Sequence, residues 1–198
     1  MRIAIVGGGI GGLAAALFLR QAGLDATVYE QAAELREVGA GVVVSPNSDM
    51  VREFVGWDGR LQQLIAAATD TKRWALYDRS PLERWTSGRI SLLGDAAHAM
   101  LPFFGQGASQ SIEDAAVLAA CRRNAGPDSA AQALLRYEAV RRPRASQVQL
   151  MSRGREARNH LPDGPEQQQR DSQLARGDPL RDSAWLYGHD PDSALAAQ

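Results

Sequence analysis

Six residues near the N-terminus, Gly7-Gly8-Gly9-Ile10-Gly11-Gly12, dictate how this chain begins to fold. They join an apolar run from Arg2 to Val6, which predicts a buried strand, to a stretch from Gly11 to Ala22 that predicts a helix. A second strand is predicted from Asp25 to Glu30, where β-branched and aromatic residues occur. Strands joined through a helix lie parallel, so the sequence predicts an α/β fold that begins as a doubly wound sheet.

The spacing of the glycines predicts a dinucleotide-binding turn. Gly7 permits a sharp turn, Gly9 lets the backbone approach a pyrophosphate, and Gly12 lets the helix pack closely on the sheet. The phosphate would then meet the free N–H groups of a helix N-terminus. Glu30 follows Gly12 by 18 residues, where a carboxylate can bind ribose hydroxyls and repels the extra phosphate of NADP. The predicted binding residues are Gly7, Gly9, Gly11, Gly12 and Glu30.

This first motif has a simpler alternative, a glycine-rich turn beside an ordinary glutamate at a strand end. It also leaves NAD and FAD open as the bound dinucleotide. The choice between these cofactors depends on a second motif.

The second motif favours FAD. It runs Gly94-Asp95-Ala96-Ala97-His98 and continues through Pro102 to Gly105-Gln106-Gly107-Ala108-Ser109. A third buried strand, predicted from Arg89 to Leu93, should bring its C-terminal end beside that of the first strand. There Asp95 can accept hydrogen bonds from the ribityl hydroxyls of FAD. The helix that opens at 107–108 would aim its N-terminus at the flavin pyrimidine edge and stabilise negative charge there.

Four other residues receive a structural interpretation. We interpret Glu113 and Asp114 as acids that cap their helix and complement its dipole. His98 lies in a turn of small residues and is interpreted as structural rather than as an acid–base group. Cys121 lies on the apolar stripe of its helix and is interpreted as a core residue. No catalytic residue is assigned.

Composition narrows the classes of protein and partner. The chain has 198 residues, 44% of them hydrophobic and 23% charged, which is typical of a globular protein with one well-formed core. A net charge of −1 argues against nucleic acid and anionic membrane as partners. The single cysteine excludes an intramolecular disulfide and a cysteine-based metal cluster, and it fits a reducing compartment. We therefore expect a cytoplasmic protein without a metal site.

An apolar stretch from Ile3 to Leu19 could be mistaken for a signal peptide or a membrane anchor. Five of its residues are glycine, which suits a tight turn better than a helix embedded in lipid. The stretch is also shorter than the roughly 20 residues that a membrane-spanning helix needs. We therefore expect no membrane association.

The rest of the chain is predicted to be mainly helical. A helical region interrupted from Gly56 to Gly59 is expected from Asp49 to Ala68, and a short strand candidate covers Arg73 to Asp78. Two further helices are predicted from Gln110 to Arg123 and from Ser129 to His160, and Pro143 should kink or split the second one.

Two segments are expected along the chain. Residues 1–160 are predicted to form an FAD-binding Rossmann-like domain with a reduced parallel sheet and C-terminal helices. Residues 161–198 are predicted to form a polar tail that is partly ordered, with Trp185, Leu186 and Tyr187 as candidate anchors.

Several runs of residues carry a family resemblance. They are the 7–12 turn, Glu30, Glu37-Val38-Gly39-Ala40-Gly41, Ser45-Pro46-Asn47, Trp74-Ala75-Leu76-Tyr77-Asp78-Arg79, the 94–114 segment, and Tyr137-Glu138 with Arg141-Arg142-Pro143-Arg144. In these runs the chain resembles the single-component FAD-dependent aromatic hydroxylases, a group that includes salicylate hydroxylase and 3-hydroxybenzoate 6-hydroxylase.

The resemblance implies further contacts with FAD. Arg36 and Val38 would lie along the ribityl chain and the pyrophosphate, and Asp95 would bind the ribityl chain. The isoalloxazine ring would be faced by Pro102, Gly107, Ala108 and Ser109. Ser109 stands where the family commonly has asparagine, so its side-chain contact with the ring departs from the family pattern.

The resemblance is also discontinuous. Fewer than 30 residues lie between Asn47 and Trp74, where the family has a stretch of about a domain in length. The family's Asp-Gly motif, an arginine that touches the flavin, and most of the substrate-binding sheet are not found. We therefore expect that the middle substrate domain has been deleted, with a junction near residues 48–50.

The expected activity follows from the resemblance and the deletion together. A chain that binds FAD without a closed substrate pocket is expected to act as an uncoupled NAD(P)H oxidase, with NADH or NADPH as transient reductant and weak oxygenation of exposed substrates. A small aromatic substrate is not expected to be held closely, and a homo-oligomer stays open. The alternatives are a non-catalytic FAD-binding module, a residual FAD-dependent aromatic hydroxylase, or a plain NAD-binding protein.

Overall fold

The computed structural model of the chain describes residues 2–34, 55–56, 58–67 and 76–196. The described residues up to Ala33 and from Tyr77 onward form one compact unit, and the described residues between them form a second. Several predictions lie outside the described residues, and they concern Arg36, Val38, the 45–47 run, the junction near 48–50 and Trp74.

The N-terminal βαβ unit is confirmed. Strand β1 (Arg2–Val6), helix α1 (Ile10–Gln21) and strand β2 (Asp25–Tyr29) follow one another, and the two strands pair in parallel with Ile3 opposite Ala26. The expectation that β1 is buried is wrong, because Val6 at its end is 90% exposed. Among the described residues each strand pairs only with the other, so the parallel sheet there has two strands.

Close backbone packing explains the glycine spacing. A Cβ atom at Gly12 would lie 2.0 Å from the carbonyl oxygen of Gly7, so a side chain at this position has no room. Gly7 itself has a φ of +105°, which L-residues rarely adopt. Its N–H donates to the carbonyl of Tyr29 over 2.8 Å and ties the turn to β2.

The third predicted strand is corrected. Within 89–93 the chain forms only β4 (Ile90–Ser91), which pairs antiparallel with β3 (Thr86–Ser87). Gly88, with a φ of +57°, opens the two-residue turn between them, and such a turn makes a hairpin rather than a crossover to a parallel strand. Of the strand candidate from Arg73 to Asp78, residues 73–75 lie outside the described part of the chain, and residues 76–78 form no strand.

Helices make up most of the rest. They are α2 (Gly59–Ala67), α3 (Asp95–His98), a 3₁₀ turn (Pro102–Phe104), α4 (Gly107–Arg122), α5 (Ala130–Asn159), α6 (Pro165–Arg176), α7 (Pro179–Asp182), α8 (Ala184–Tyr187) and α9 (Pro191–Ala196). In the larger unit α4 lies between α1 and α5 and packs on both. Ala15 and Leu19 form the buried side of α1. The α/β class with a small parallel sheet and C-terminal helices is therefore confirmed.

Helix α5 does not split at Pro143. Proline removes the N–H that would bond the carbonyl of Ala139, which normally kinks or breaks a helix. Here the residues around Pro143 are tied to α4, because Arg141 donates to Asp114 and Arg144 donates to Glu113. Tertiary ion pairs on both sides of the proline therefore hold the helix in one piece.

The hydrophobic core lies where the β3–β4 hairpin meets α3, α4 and α5. Its fully buried members are Trp85, Ala97, Val117, Tyr137 and Ala145. Cys121 packs against this cluster as predicted, and burial raises the pKa of its thiol. None of the described helices combines the length and the apolar character needed to cross a bilayer.

The C-terminal segment is largely helical, and it is anchored around Leu186 and again at Leu195, whose carbonyl accepts from Arg136 over 3.2 Å. Helix α6 contributes no buried residue, whereas Leu186 in α8 is only 4% exposed. The side chain of Arg144 donates to the carbonyls of Trp185 and Leu186, at 3.2 and 2.9 Å. These bonds hold the segment against α5.

The packing of the glycine turn yields a matched pair of variants. Gly12→Ala should lower the free energy of unfolding by about 1 to 3 kcal/mol, because its methyl group would meet the Gly7 carbonyl. Gly9→Ala should leave stability near the wild-type value, since a Cβ atom there meets no atom of the described residues within 4 Å. Thermal unfolding followed by circular dichroism measures both. Equal melting temperatures for the two variants would contradict the close packing.

Candidate functional site

Ser111 brings the two predicted binding motifs together. A Cβ atom at Gly11 would lie 3.3 Å from Ser111 Cβ, and a Cβ atom at Gly94 would lie 3.0 Å from Ser111 Oγ. Ser111 is 5% exposed, and its hydroxyl donates to the Gly107 carbonyl over 2.9 Å. The start of α1, the turn before α3 and the first turn of α4 therefore converge on one small side chain. Sequence reasoning missed Ser111, because a serine beside two glycines carries no motif.

The predicted cofactor residues of the described chain lie in these converging segments. Gly9, Asp95, Pro102, Ala108 and Ser109 are exposed, whereas Gly107 is half-buried. The side chain of Asp95 has no hydrogen-bond partner among the described residues, so its carboxylate is available to hydroxyl groups. Arg36 and Val38 lie outside the described residues.

The glycine turn has the features that a dinucleotide needs. Within the described part of the chain no atom lies within 4 Å of a Cβ position at Gly9, so the backbone there is open to a phosphate. Helix α1 begins at the next residue, and neither α1 nor α4 carries an acid in its first turn. Both helix N-termini therefore keep their partial positive charge. The residues present fit the pyrophosphate and the flavin end of FAD.

Glu30 lies at the edge of the same turn. Its carboxylate accepts the N–H of Ala32 over 2.9 Å and the N–H of Gly8 over 2.6 Å. These two hydrogen bonds hold the pKa of Glu30 below its usual value. Glu30 is therefore an ionised acceptor beside the turn, which is what binding to ribose hydroxyls requires.

Asp114 is a buried carboxylate on α4 that accepts a hydrogen bond from the backbone of the second motif. Asp114 is fully buried; its Oδ2 accepts the N–H of Gly94 over 2.9 Å and lies 2.7 Å from His98 Nε2. Its Oδ1 accepts from Arg141 Nε over 2.8 Å. Burial raises the pKa of Asp114, but the hydrogen bond from His98 and the charge of Arg141 outweigh it and hold the pKa below its usual value.

Glu113 links this cluster to the C-terminal segment. It accepts from Arg141 Nη1 over 2.6 Å and from Arg144 Nε over 2.8 Å. Burial raises the pKa of Glu113, but the hydrogen bond and charge of Arg144 and the charge of Arg141 hold it below its usual value. The interpretation of Glu113 and Asp114 as capping acids is therefore wrong, because both lie beyond the first turn of α4 and pair with arginines of α5.

His98 fits its structural interpretation. It is 1% exposed, its ring packs 5.4 Å from that of Trp85, and its Nε2 faces Asp114. The ring is therefore enclosed in the core rather than presented to the surface where Asp95 lies.

One face of α5 binds the chain along 92–101. Tyr137 Oη donates to the Leu92 carbonyl, Gln149 Nε2 to the Ala99 carbonyl, and Ser152 Oγ to the Leu101 carbonyl, at 3.1, 2.8 and 2.6 Å. With Arg141, these side chains recur at helical spacing along a single stripe. That periodicity was the available sequence signal for these residues.

Comparison with known proteins identifies related sequences. The family model of the FAD binding domain matches residues 60–152, and that of the NAD(P)-binding Rossmann-like domain matches residues 5–36. A 3-amino-4-hydroxybenzoate 2-monooxygenase of Streptomyces platensis is 48% identical over 135 residues, which are 68% of this chain and 34% of the relative. Salicylate hydroxylase of Pseudomonas putida is 37% identical over 154 residues, which are 75% of this chain and 34% of the relative.

Solved structures agree with these sequence matches. A salicylate hydroxylase substrate complex superposes with a TM-score of 0.62 at 29% identity, over 84% of this chain and 41% of the other. Klebsiella pneumoniae HpxO, complexed with FAD and uric acid, superposes with a TM-score of 0.63 at 32% identity, over 80% of this chain and 41% of the other. The chain spans about a third to two fifths of the length of these relatives. The matches confirm the predicted resemblance and support FAD as the cofactor.

The ion pairs of Glu113 predict an acid-sensitive stability. Because its folded-state pKa is lowered, the stability that it contributes is present above its unfolded pKa of about 4.3 and is lost as the pH falls through the folded pKa. The free energy of unfolding of the wild type should therefore decrease from about pH 5 downward. The decrease should be shallower for Glu113→Gln, as urea unfolding at a series of pH values would measure.

The matched control for this pH series is Glu166→Gln, which changes an exposed glutamate in the first turn of α6. Its profile should follow that of the wild type. Parallel profiles for Glu113→Gln and the wild type would show that the ion pairs contribute nothing to stability.

Proposed function

This chain belongs to the family of single-component FAD-dependent aromatic hydroxylases, and we propose that it is a compact FAD-binding oxidoreductase. The observation that carries the proposal is the position of Ser111 between Gly11 and Gly94, which brings the two binding motifs onto neighbouring backbone. The open turn at Gly9 supports it, and so does the carboxylate of Asp95, which has no partner among the residues that the structure describes.

In this proposal each described segment holds one part of FAD. The 7–12 turn and the start of α1 bind the pyrophosphate, and Glu30 binds ribose hydroxyls. Asp95 binds the ribityl chain. The isoalloxazine ring lies against Pro102, Gly107, Ala108 and Ser109, and Arg36 and Val38 add contacts from outside the described residues. When bound, FAD would accept hydride from NADH or NADPH and pass the electrons to dioxygen.

The first turn of α4 is suited to assist that chemistry. It presents its N–H groups at 107–109, and it contains no acid that would cancel the positive end of the helix dipole. Arg141 and Arg144 pair with Glu113, and Arg141 also pairs with Asp114, so the acids of the next turn are already neutralised. Negative charge placed beside this turn is therefore stabilised.

We further propose that oxidation of NAD(P)H by this chain is uncoupled from ring hydroxylation. Only residues 48 to 73 separate Asn47 from Trp74, where the family has a stretch of about a domain in length. We therefore infer an internal deletion of the substrate domain. Pro102, Ala108 and Ser109 are exposed, whereas efficient hydroxylation needs a site that excludes water. Hydrogen peroxide would then be the main product of oxygen reduction.

Titration with FAD tests the binding proposal. The purified chain should show flavin absorbance, and Glu30→Ala should weaken FAD binding by about tenfold or more, because ribose hydroxyls lose a charge-assisted acceptor. Asp25→Ala is the matched control, since Asp25 is an exposed carboxylate at the opposite end of β2. If Glu30→Ala and Asp25→Ala bind FAD with equal affinity, Glu30 does not contribute to FAD binding.

Product analysis tests the uncoupling proposal. NADH consumed, peroxide formed and hydroxylated product would be measured with and without salicylate or 3-hydroxybenzoate. Nearly equal amounts of NADH and peroxide, insensitive to the aromatic acid, are expected. Efficient ring hydroxylation would instead make the chain a residual hydroxylase, and bound FAD without NADH consumption would make it a non-catalytic FAD-binding module.

A further inference from the structure

The turn that carries Asp95 depends on a buried hydrogen bond. Gly94 is buried, and its φ of +61° with ψ of −142° is a conformation that other residues rarely adopt. Its N–H donates to Asp114 Oδ2 over 2.9 Å, which satisfies a donor that water does not reach. Asp95, the next residue, is exposed. The backbone direction at Gly94 therefore sets where the Asp95 carboxylate points.

Asp114 is itself held from three sides. Its Oδ2 lies 2.7 Å from His98 Nε2, and its Oδ1 accepts from Arg141 Nε. Arg141 cannot turn away, because its Nη1 donates to Glu113 Oε2 over 2.6 Å and its Nη2 to Gln110 Oε1 over 2.8 Å. The carboxylate plane of Asp114 is thus fixed by partners in the turn before α3, on α3 and on α5.

We propose that Asp114 is a positioning residue for FAD, which it does not touch: it fixes the backbone at Gly94 and thereby aims the Asp95 carboxylate at the sugar-alcohol hydroxyls of the cofactor. The proposal rests on the proposed function, since it assigns a role in FAD binding. Asp114 acts only through Gly94, so removing its acceptor oxygen should weaken FAD binding while the surface residues stay unchanged.

The test variant is Asp114→Asn. Asparagine keeps the size of the side chain but replaces one acceptor oxygen by an NH₂ donor, which must face either the Gly94 N–H or the Arg141 N–H. The chain offers a matched control in Glu138→Gln. Glu138 is 8% exposed and also accepts a backbone N–H, that of Thr86 over 2.8 Å, in the β3–β4 hairpin. Both variants alter a buried carboxylate that accepts a backbone N–H. Only the Asp114 carboxylate accepts the N–H of Gly94.

Two readouts are combined. The dissociation constant of FAD is measured by flavin fluorescence, together with the visible circular dichroism of the bound flavin, at a temperature where each variant is fully folded. The exchange rate of the Gly94 amide is measured by NMR in the protein without FAD. Asp114→Asn should bind FAD roughly tenfold more weakly or worse, about 1.4 kcal/mol or more, and should exchange Gly94 faster. Glu138→Gln should change neither quantity.

Each outcome decides the proposal. Wild-type affinity in Asp114→Asn would overturn the positioning role and leave the proposed function intact, whereas a wild-type chain that binds no FAD would overturn both. Equal losses in Asp114→Asn and Glu138→Gln would assign the effect to general stability and also overturn it. If Asp114→Asn does not fold, Arg141→Lys takes its place; failure of both to fold would make the pair structural only.

Discussion

The buried pair between the carboxylate of Asp114 and the guanidinium of Arg141 is the contact on which the larger unit depends. Burying two charges is costly, and the cost is offset only where every donor and acceptor finds a partner. Here Gly94, His98, Glu113 and Gln110 complete the set. The same pair joins α4 to α5 and holds the turn that begins the second motif, so packing of the helices and geometry of the candidate site cannot be separated.

The sequence patterns correctly predicted the elements whose contacts join residues close together in the chain. The β1–α1–β2 unit follows from glycine spacing and hydrophobic periodicity within about thirty residues. The error at 89–93 arose because a short apolar run suits a parallel strand and a hairpin equally, and Gly88 decided between them. The split that was one expected effect of Pro143 is not seen, and the ion pairs that keep α5 whole join it to a different helix.

The candidate site was predictable where a motif marks it. Gly9, Glu30 and Asp95 were named from spacing, and the described structure leaves their surroundings suited to a dinucleotide. Ser111 and Ser152 were not predicted, because their roles depend on which backbone segments they approach in the fold. Small polar residues are also common at any surface, so a serine by itself gives no signal. The pairing of Glu113 and Asp114 with arginines about 30 positions away likewise leaves no local trace.

The burial of α1 against α4 has a consequence for synthesis on the ribosome. Ala15 and Leu19 find their partner helix only after residue 122 has been made, about 100 residues later. At typical elongation rates this delay is roughly 5 to 20 s. During that interval the N-terminal unit carries uncovered apolar side chains, including Leu13 and Leu17, which stay partly exposed even in the folded chain. Burial of the apolar side of α1 is therefore completed only late in synthesis, after α4 has left the ribosome.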